Sequence, residues 1–448
     1  MFKRKIYTEL KKWKEESNGM SALLIEGARR VGKSTIVTEF AQNEYKDYLL
    51  IDFSICEEAI KNNFENIGNM DVFFRNLFIL VGKVLNPGES VIIFDEVQFF
   101  PKARQSIKQL VKDGRFHYIE TGSLISINQN VKDILIPSEE ESIKMFPMDF
   151  EEFLWANNNY VYIDAIKDSF EKKKPLGNNI HRKIMQIFRN YMAVGGMPQA
   201  VSAYVEGKDF RSIDRTKRNI IKLYTQDLKK HDTDEGDRAS LVFKSLPEQL
   251  MNHNSVFRYS VVSESARQKN CINAIDFLEE SMIVNNCVNV TQPEVSLGLY
   301  ADRSKFKMFM GDTGLLVSFI LQNSKETPDK MYRSLILDDL SLNQGMIFEN
   351  MVAQILRTNG YELYYHEFNY RAENNESVKH YEMDFLLVKG KRIVPIEVKS
   401  SNYRSHKSFD YFKIKYNIKM NERFLIYTKD LDVKDDLIYI PIYMTICL

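Results

Sequence analysis

The stretch that decides the fold is "SALLIEGARRVGKSTIVTEFAQ", Ser21 to Gln42. Its opening apolar run reads as a buried strand, and its end has the spacing of an amphipathic helix. Between them stand Gly27 and the group Gly32-Lys33-Ser34, matching GxxxxGK[ST]. Each residue type has a physical task. The glycines let the chain curl so that backbone amides face a phosphate chain, and the helix that follows adds its positive end. Lys33 is placed to reach the β- and γ-phosphates of ATP, Ser34 to ligate Mg2+, and Thr35 to continue the phosphate-binding turn.

Two further segments continue the same reading. "ESVIIFDEVQFFPKARQSIKQLVKD" predicts a buried strand, Val91 to Phe94, ending in Asp95-Glu96. A carboxylate pair at that strand end suits a magnesium-linked aspartate and a glutamate that orients the attacking water. "RFHYIETGSLISI" predicts another strand ending in Thr121-Gly122-Ser123, where Thr121 is a candidate sensor of the γ-phosphate. "YKDYLLIDFS" supplies one more strand. Strands alternating with helices indicate an α/β fold with a parallel sheet and its ligand at the strand C-termini. Arg104 and Arg115 are candidates for an arginine finger, alongside arginines elsewhere in the chain.

Composition bounds the rest. A chain of 448 residues has room for roughly two to four cores. Lys plus Arg and Asp plus Glu number 61 each, so any nucleic-acid surface must be local. Cysteines at 56, 271, 287 and 447 are too far apart for a zinc ribbon, and their low number suits a reducing compartment. With no apolar run long enough for a bilayer and no signal-peptide core at the start, a soluble cytoplasmic protein without membrane contact is expected.

Residues 151–240 read as a helical segment, in which "YMAVGGMPQAV" breaks one helix from the next at Gly195-Gly196. Residues 241–325 read as helix, helix, strand. There Ser263 or Ser265 is placed to cap a helix with Ala274, Phe277 and Leu278 inward, and Arg267 and Lys269 lie near its start.

With these residues in hand, the chain resembles the bacterial and archaeal AAA-type ATPases that carry a C-terminal domain of uncharacterised function. The likeness covers nearly the whole length. It rests on "LLIEGARRVGKST", "VIIFDEVQFFP", "ETGSLI", "KMFPMDFEEFL", "YMAVGGMPQAV", "KMFMGDTGLL" and "GMIFENMVAQIL". Glu120 departs from the apolar residue usual before Thr-Gly-Ser. The resemblance implies a P-loop NTPase core at 1–150, a helical lid at 151–240, a winged-helix-like module at 241–325 and a C-terminal α/β restriction-endonuclease-like domain at 326–448. AAA-type sites are often completed by a neighbouring subunit, so a homo-oligomer stays open.

The end domain carries its own constellation. "YEMDFLLVKGKRIVPIEVKSS", Tyr381 to Ser401, predicts a hairpin turning at Lys389-Gly390-Lys391-Arg392. Met383, Phe385 and Leu387 then share a face with Val394, Ile396 and Val398, while Asp384 opposes Glu397 and Glu382 opposes Lys399. Like charges placed face to face destabilise a sheet unless something lies between them. A helix with Phe348, Val352, Ile355 and Leu356 inward lets Glu349 reach the same sheet end. Glu349, Asp384, Glu397 and Lys399 together resemble a PD-(D/E)xK nuclease centre. That likeness implies Mg2+ or Mn2+ on the carboxylates, with Lys399 as a catalytic residue. The basic, aromatic run "NYRSHKSFDYFKIKY" suits a phosphate backbone, and His366, His380 and His406 read as surface residues. DNA is the expected partner, bound or cut under the control of ATP. The alternative is a nucleotide-dependent switch whose end domain docks partners without cleaving.

Overall fold

The computed structural model describes residues 1–123, 138–231, 238–251, 256–322, 327–337, 344–371, 377–401, 406–417 and 422–448. They form two compact units: residues 1–146 with 280–282, and residues 147–279 with 283–448.

The first unit is built on β1 (Ala22–Gly27), β2 (Asp47–Asp52), β3 (Ser90–Asp95), β4 (His117–Ser123) and β5 (Glu140–Lys144). All pairings are parallel, in the order β2-β3-β4-β1-β5. β3 is buried along its whole length, as its unbroken Val-Ile-Ile-Phe run requires of a strand covered on both faces. One side of the sheet is packed with rings: Phe53, Phe64, Phe73, Phe74, Phe94, Phe116 and Tyr118 are almost wholly buried. Each such ring contributes about 1.5–3 kcal/mol on burial. The Lys33–Glu44 helix lies on β1 to β4. β4 separates β1 from β3, so Thr121 arrives between the phosphate-binding loop and Asp95.

The second unit begins with helices. Asp149 opens the Phe150–Ala156 helix with a capping box: its carboxylate accepts from the Glu152 amide at 2.8 Å, and Glu152 accepts from the Asp149 amide at 3.2 Å. Two otherwise orphaned amides are satisfied. Helices follow at Val161–Lys172, Asn178–Val194, Pro198–Val205, Phe210–His231, Arg238–Met251 and Gln268–Glu280. The last of these buries Cys271, Ile275 and Leu278. Ala274 and Phe277, expected inward, are only half-buried. Ser263 ends the short Tyr259–Val262 helix instead of capping this one.

The chain then enters β6 (Val284–Val290) and β7 (Ala301–Met310), the helices Thr313–Leu321, Pro328–Ile336 and Gln344–Thr358, and β8 (Tyr364–Tyr370). β9 (Lys379–Lys389), β10 (Arg392–Val398), the Lys407–Tyr416 helix, β11 (Arg423–Tyr427), β12 (Asp432–Lys434) and β13 (Leu437–Pro441) complete it. All of these strands share one mixed sheet, in the order β12-β13-β11-β10-β9-β8-β6-β7. The division placed at 325/326 therefore runs through a continuous sheet, because β6 pairs in parallel with β8 at Val288↔Tyr364 and Asn289↔Tyr365. Among the described residues, no helix is long and apolar enough to cross a membrane.

The hairpin register is the one its alternation predicts. Lys389 pairs with Arg392 and Phe385 with Ile396, around a two-residue turn with Gly390 at φ +61°. Met383, Phe385, Leu387, Val394, Ile396 and Val398 are all buried. The two glycine segments "AVGGMP" and "GDTGLL" meet one another. A Cβ on Gly314 would lie 2.4 Å from the Cα of Gly195, and a Cβ on Gly195 would lie 2.4 Å from Asp312 Oδ1. Asp312 caps the Thr313–Leu321 helix through the Leu315 amide at 2.8 Å and accepts from the Gly196 amide at 2.6 Å. The break at Gly195-Gly196 is thus a site of close backbone approach.

Candidate functional site

The loop between β1 and its helix brings the predicted nucleotide residues together. Gly27 admits no side chain, because a Cβ there would sit 2.4 Å from the Met145 carbonyl. Gly32 has φ +101°, a left-handed conformation that leads directly into the helix. The Lys33 ammonium is buried and donates to the carbonyls of Gly27 (2.8 Å) and Ala28 (3.1 Å). Burial lowers its pKa to about 8, opposed by the charges of Glu96 and Asp95. A buried cation held only by its own loop's carbonyls is matched to an incoming anion.

Ser34 Oγ donates to Asp95 Oδ1 at 2.8 Å, and the Thr121 hydroxyl donates to the same oxygen. Asp95 and Thr121 are buried, whereas Thr35 is exposed on the first turn of the helix. Glu96 follows Asp95 with φ +56° and accepts from the Gln98 side-chain amide. A non-glycine residue held in that region is strained, and such strain clusters at sites where a side chain must be aimed. Gln98 is a buried neighbour that sequence reasoning missed, since a glutamine two residues after an acidic pair carries no distinctive signal. Ser34, Asp95 and Glu96 offer oxygen donors only, which suits Mg2+ beside nucleotide phosphates.

The arginine-finger candidates are otherwise engaged. Arg104 is buried in a bidentate pair with Glu140, at 2.9 and 2.6 Å. Arg115 binds Asp113 and, at 2.9 Å, Asp71. Each already neutralises a carboxylate. Glu120 lies fully buried in the same region as Arg104. Burial and then the neighbouring Glu140 carboxylate hold its pKa well above the ordinary range, with Arg104 opposing. The departure at Glu120 is therefore part of a buried acid–arginine cluster.

The C-terminal residues also gather, but around a cation that the sequence reading did not include. Lys307, buried on β7, pairs with Glu382 and lies 3.7 Å from Glu349. Lys399 pairs with Glu397, its neighbour on the same strand face, at 2.6 Å. Asp384 Oδ2 accepts the Val398 amide at 2.7 Å, just past the last paired rung of the hairpin. Glu397 Oε1 accepts from Ser408 at 3.0 Å, while its buried Oε2 has no hydrogen-bond partner among the described residues. Burial raises the pKa of both Glu349 and Asp384. Lys307 opposes this at each site, and for Asp384 the Glu349 charge adds to the rise. Among the described residues, no three His, Cys, Asp or Glu side chains stand so as to hold a metal ion. The ammonium of Lys307 faces carboxylates that the sequence reading gave to a divalent cation. A lysine flanked by Phe306, Met308 and Phe309 in a strand was the available signal.

The remaining candidates disperse. Arg267 turns back onto the carbonyls of Glu264 and Ala266. His366, expected at the surface, is buried between the Val290 carbonyl and the Tyr416 hydroxyl, each at 2.6 Å. Of the basic run near the end, residues 402–405 lie outside the described residues.

Residues 20–154 match the AAA domain, residues 185–326 a domain of unknown function (DUF8612), and residues 344–445 another domain of unknown function (DUF4143). An uncharacterized protein of Haemophilus influenzae is 25% identical over 183 residues, 40% of this chain and 40% of that protein. Among solved structures, a Walker-type ATPase of Pyrococcus abyssi is similar with a TM-score of 0.44 and 14% identity, covering 71% of this chain and 96% of that one. A Thermotoga maritima RuvB structure aligns with a TM-score of 0.28 and 10% identity, over 63% of this chain and 89% of that one. The chain carries an AAA-type P-loop ATPase domain at residues 20–154 and a DUF4143 domain at residues 344–445.

Proposed function

We propose that the protein binds and hydrolyses ATP with Mg2+ at the loop Gly27–Thr35. The observation that carries this reading is the convergence of Ser34 and Thr121 on one oxygen of Asp95, beside the buried ammonium of Lys33. Lys33 would turn from its loop carbonyls to the phosphates. Ser34 and Asp95 would hold the metal, which neutralises phosphate charge when bound. Glu96, fixed by its backbone and by Gln98, would orient water for in-line attack. The test is ATP hydrolysis by the full chain with Lys33→Ala and Glu96→Gln alongside. We expect Lys33→Ala to lose nucleotide binding, and Glu96→Gln to keep binding while hydrolysis falls by about 10²-fold or more. Equal activity in wild type and Glu96→Gln would remove Glu96 from the mechanism.

A second reading concerns the end domain, and the unpartnered buried Oε2 of Glu397 favours it. Four carboxylates, from Glu349, Glu382, Asp384 and Glu397, face two ammonium groups, from Lys307 and Lys399. Such an excess of negative charge in a partly buried cluster is offset either by protonation or by a divalent cation. On this reading Asp384, Glu397 and Glu349, which do not stand as a metal-binding group among the described residues, would have to draw together to hold Mg2+ or Mn2+, Lys399 would steady a phosphodiester, and DNA would be bound or cut. The measurement is Mn2+-dependent thermal stabilisation and DNA cleavage, with Asp384→Ala as control. Loss of both effects in the variant supports the centre. ATP hydrolysis without any cleavage or metal shift supports the switch instead.

A further inference from the structure

The strongest unassigned surface lies on the 22-residue helix Phe210–His231. Its inner face is settled: Ile213, Ile220, Ile221, Tyr224 and Leu228 are buried, and the buried Lys217 donates to the Ala193 carbonyl at 2.5 Å. The outer face repeats at helical spacing as Arg211, Arg215, Asn219, Lys222, Gln226 and Lys229, all exposed. Four of the six are cations, two are amides, and none is acidic. With a rise of about 1.5 Å per residue the row runs about 27 Å. In a chain whose charges cancel overall, that is a local concentration of one sign. No ion pair among the described residues occupies Arg211, Arg215 or Lys222.

Beside this row lies an open groove of about 620 Å³. The Pro198–Val205 helix contributes Gln199 and Ser202 to it, and the long helix contributes Ser212, Arg215, Thr216 and Asn219. Glu206 and Lys208 also line the groove, but they pair with one another at 2.7 Å, and Glu206 accepts from Ser202 at 2.7 Å as well. Asp209 at the helix start is engaged by the Ser212 amide at 2.9 Å. Asp209 also lies within electrostatic reach of Arg211 and Arg215, so the row keeps an excess of positive charge, beside neutral amide and hydroxyl donors, without being clear of acids.

That mixture fits the phosphodiester backbone of a nucleic acid. Phosphate oxygens take hydrogen bonds from Arg, Lys, Ser, Thr, Asn and Gln alike, and such contacts position the strand without reading its sequence. A membrane surface fits less well, because the apolar face of this helix is spent on the core and none is left to insert. We propose that the outer face of Phe210–His231, with its adjoining groove, is a sequence-independent docking surface for nucleic-acid backbone. It deepens the DNA reading above and rests on it only for the identity of the polymer, since the surface lies apart from Asp384 and Lys399 in the sequence and has its own residues.

The test is binding of the full-length protein to fluorescein-labelled 20-base-pair duplex DNA and to the corresponding single strand, followed by anisotropy over a salt series. The comparison is the triple variant Arg211→Gln, Arg215→Gln, Lys222→Gln, all exposed and outside both candidate centres. Removing three phosphate contacts should lower the slope of log K against log salt by about two to three and weaken binding at least tenfold near 0.1 M salt. Thermal stability and ATP hydrolysis in the absence of DNA should match wild type. The two probes also decide whether paired or unpaired backbone is preferred. An unchanged slope in the triple variant overturns the proposal, as does a wild-type protein that binds neither probe. The two readings fail separately. Asp384-dependent cleavage that survives the triple substitution would leave the nuclease reading standing without this surface. Binding lost in the triple variant, with no cleavage by any form, would leave the surface standing alone.

Discussion

Lys33 and Lys307 are both buried lysines, and burial acts on them with opposite outcomes. Lys33 has only loop carbonyls and two carboxylates at longer range, so its pKa falls to about 8. Lys307 sits among Glu382, Glu349 and Asp384, whose charges lift its pKa well above the usual value despite burial. For Lys33 the sign is direct: the charged form binds phosphates, and in the free protein it is half present near pH 8 and predominates only well below it. Bound ATP raises its pKa, so binding takes up a proton above pH 8 and affinity falls with rising pH, by up to about tenfold per unit. Calorimetry in buffers of different ionisation enthalpy between pH 7 and 9.5 measures both effects. For Lys307→Met, the loss of the cation leaves buried carboxylates uncompensated and costs about 3–5 kcal/mol. Because Glu349 and Asp384 have raised pKa values, they protonate first as pH falls, so the variant's deficit in urea unfolding should be smaller at pH 5.5 than at pH 8. The phosphate-loop residues were legible because they are neighbours in sequence. Lys307 was not, because its partners lie 42 and 75 residues away.

At the scale of elements, period two was decisive and period 3.6 was not. The β9–β10 hairpin is apolar on both faces near its turn, but at its open end Glu382, Asp384, Glu397 and Lys399 alternate with Met383, Phe385, Ile396 and Val398, and the observed register follows that alternation. The Gln268–Glu280 helix offers Ile272, Ala274, Ile275, Phe277 and Leu278, enough apolar residues to draw its buried stripe in two ways. Tertiary packing chose Cys271, Ile275 and Leu278. The segment "AVGGMP" was readable as a break, but nothing local says that it touches "GDTGLL". Their contact makes a sharp prediction. Gly314→Ala places a methyl 2.4 Å from the backbone of Gly195, a distance that the helix and loop must move apart to accommodate. We expect a loss of about 3 kcal/mol or more, read as a lower melting temperature. Ala at Gly207, which has φ +73° but open space around its Cβ position, should cost only about 1 kcal/mol.

For the whole molecule, the question is where the chain can be cut. The family resemblance implies a boundary at 325/326, and a fragment ending there should then fold. The structure argues otherwise, because the β6–β7 hairpin is the edge of a sheet whose other strands come after residue 360. Without them β6 loses its pairing with β8. The open side of β7 also loses Asn350, whose side-chain amide accepts from the Met310 amide at 2.7 Å and donates to the Met310 carbonyl at 3.2 Å, like a further strand. Gln354 likewise accepts from the backbone amide and hydroxyl of Thr313, both at 2.8 Å. These polar residues lie on a helix whose apolar stripe was legible, but their partners are 37 to 41 residues distant, beyond any local pattern. Exposed strand edges of this kind template aggregation. Residues 1–325 expressed alone should therefore be insoluble, or should give circular dichroism with β-signal and a broad, non-cooperative melt. A soluble fragment with a sharp transition would mean that the hairpin belongs to an independent module and that the continuous sheet is an assembly of two.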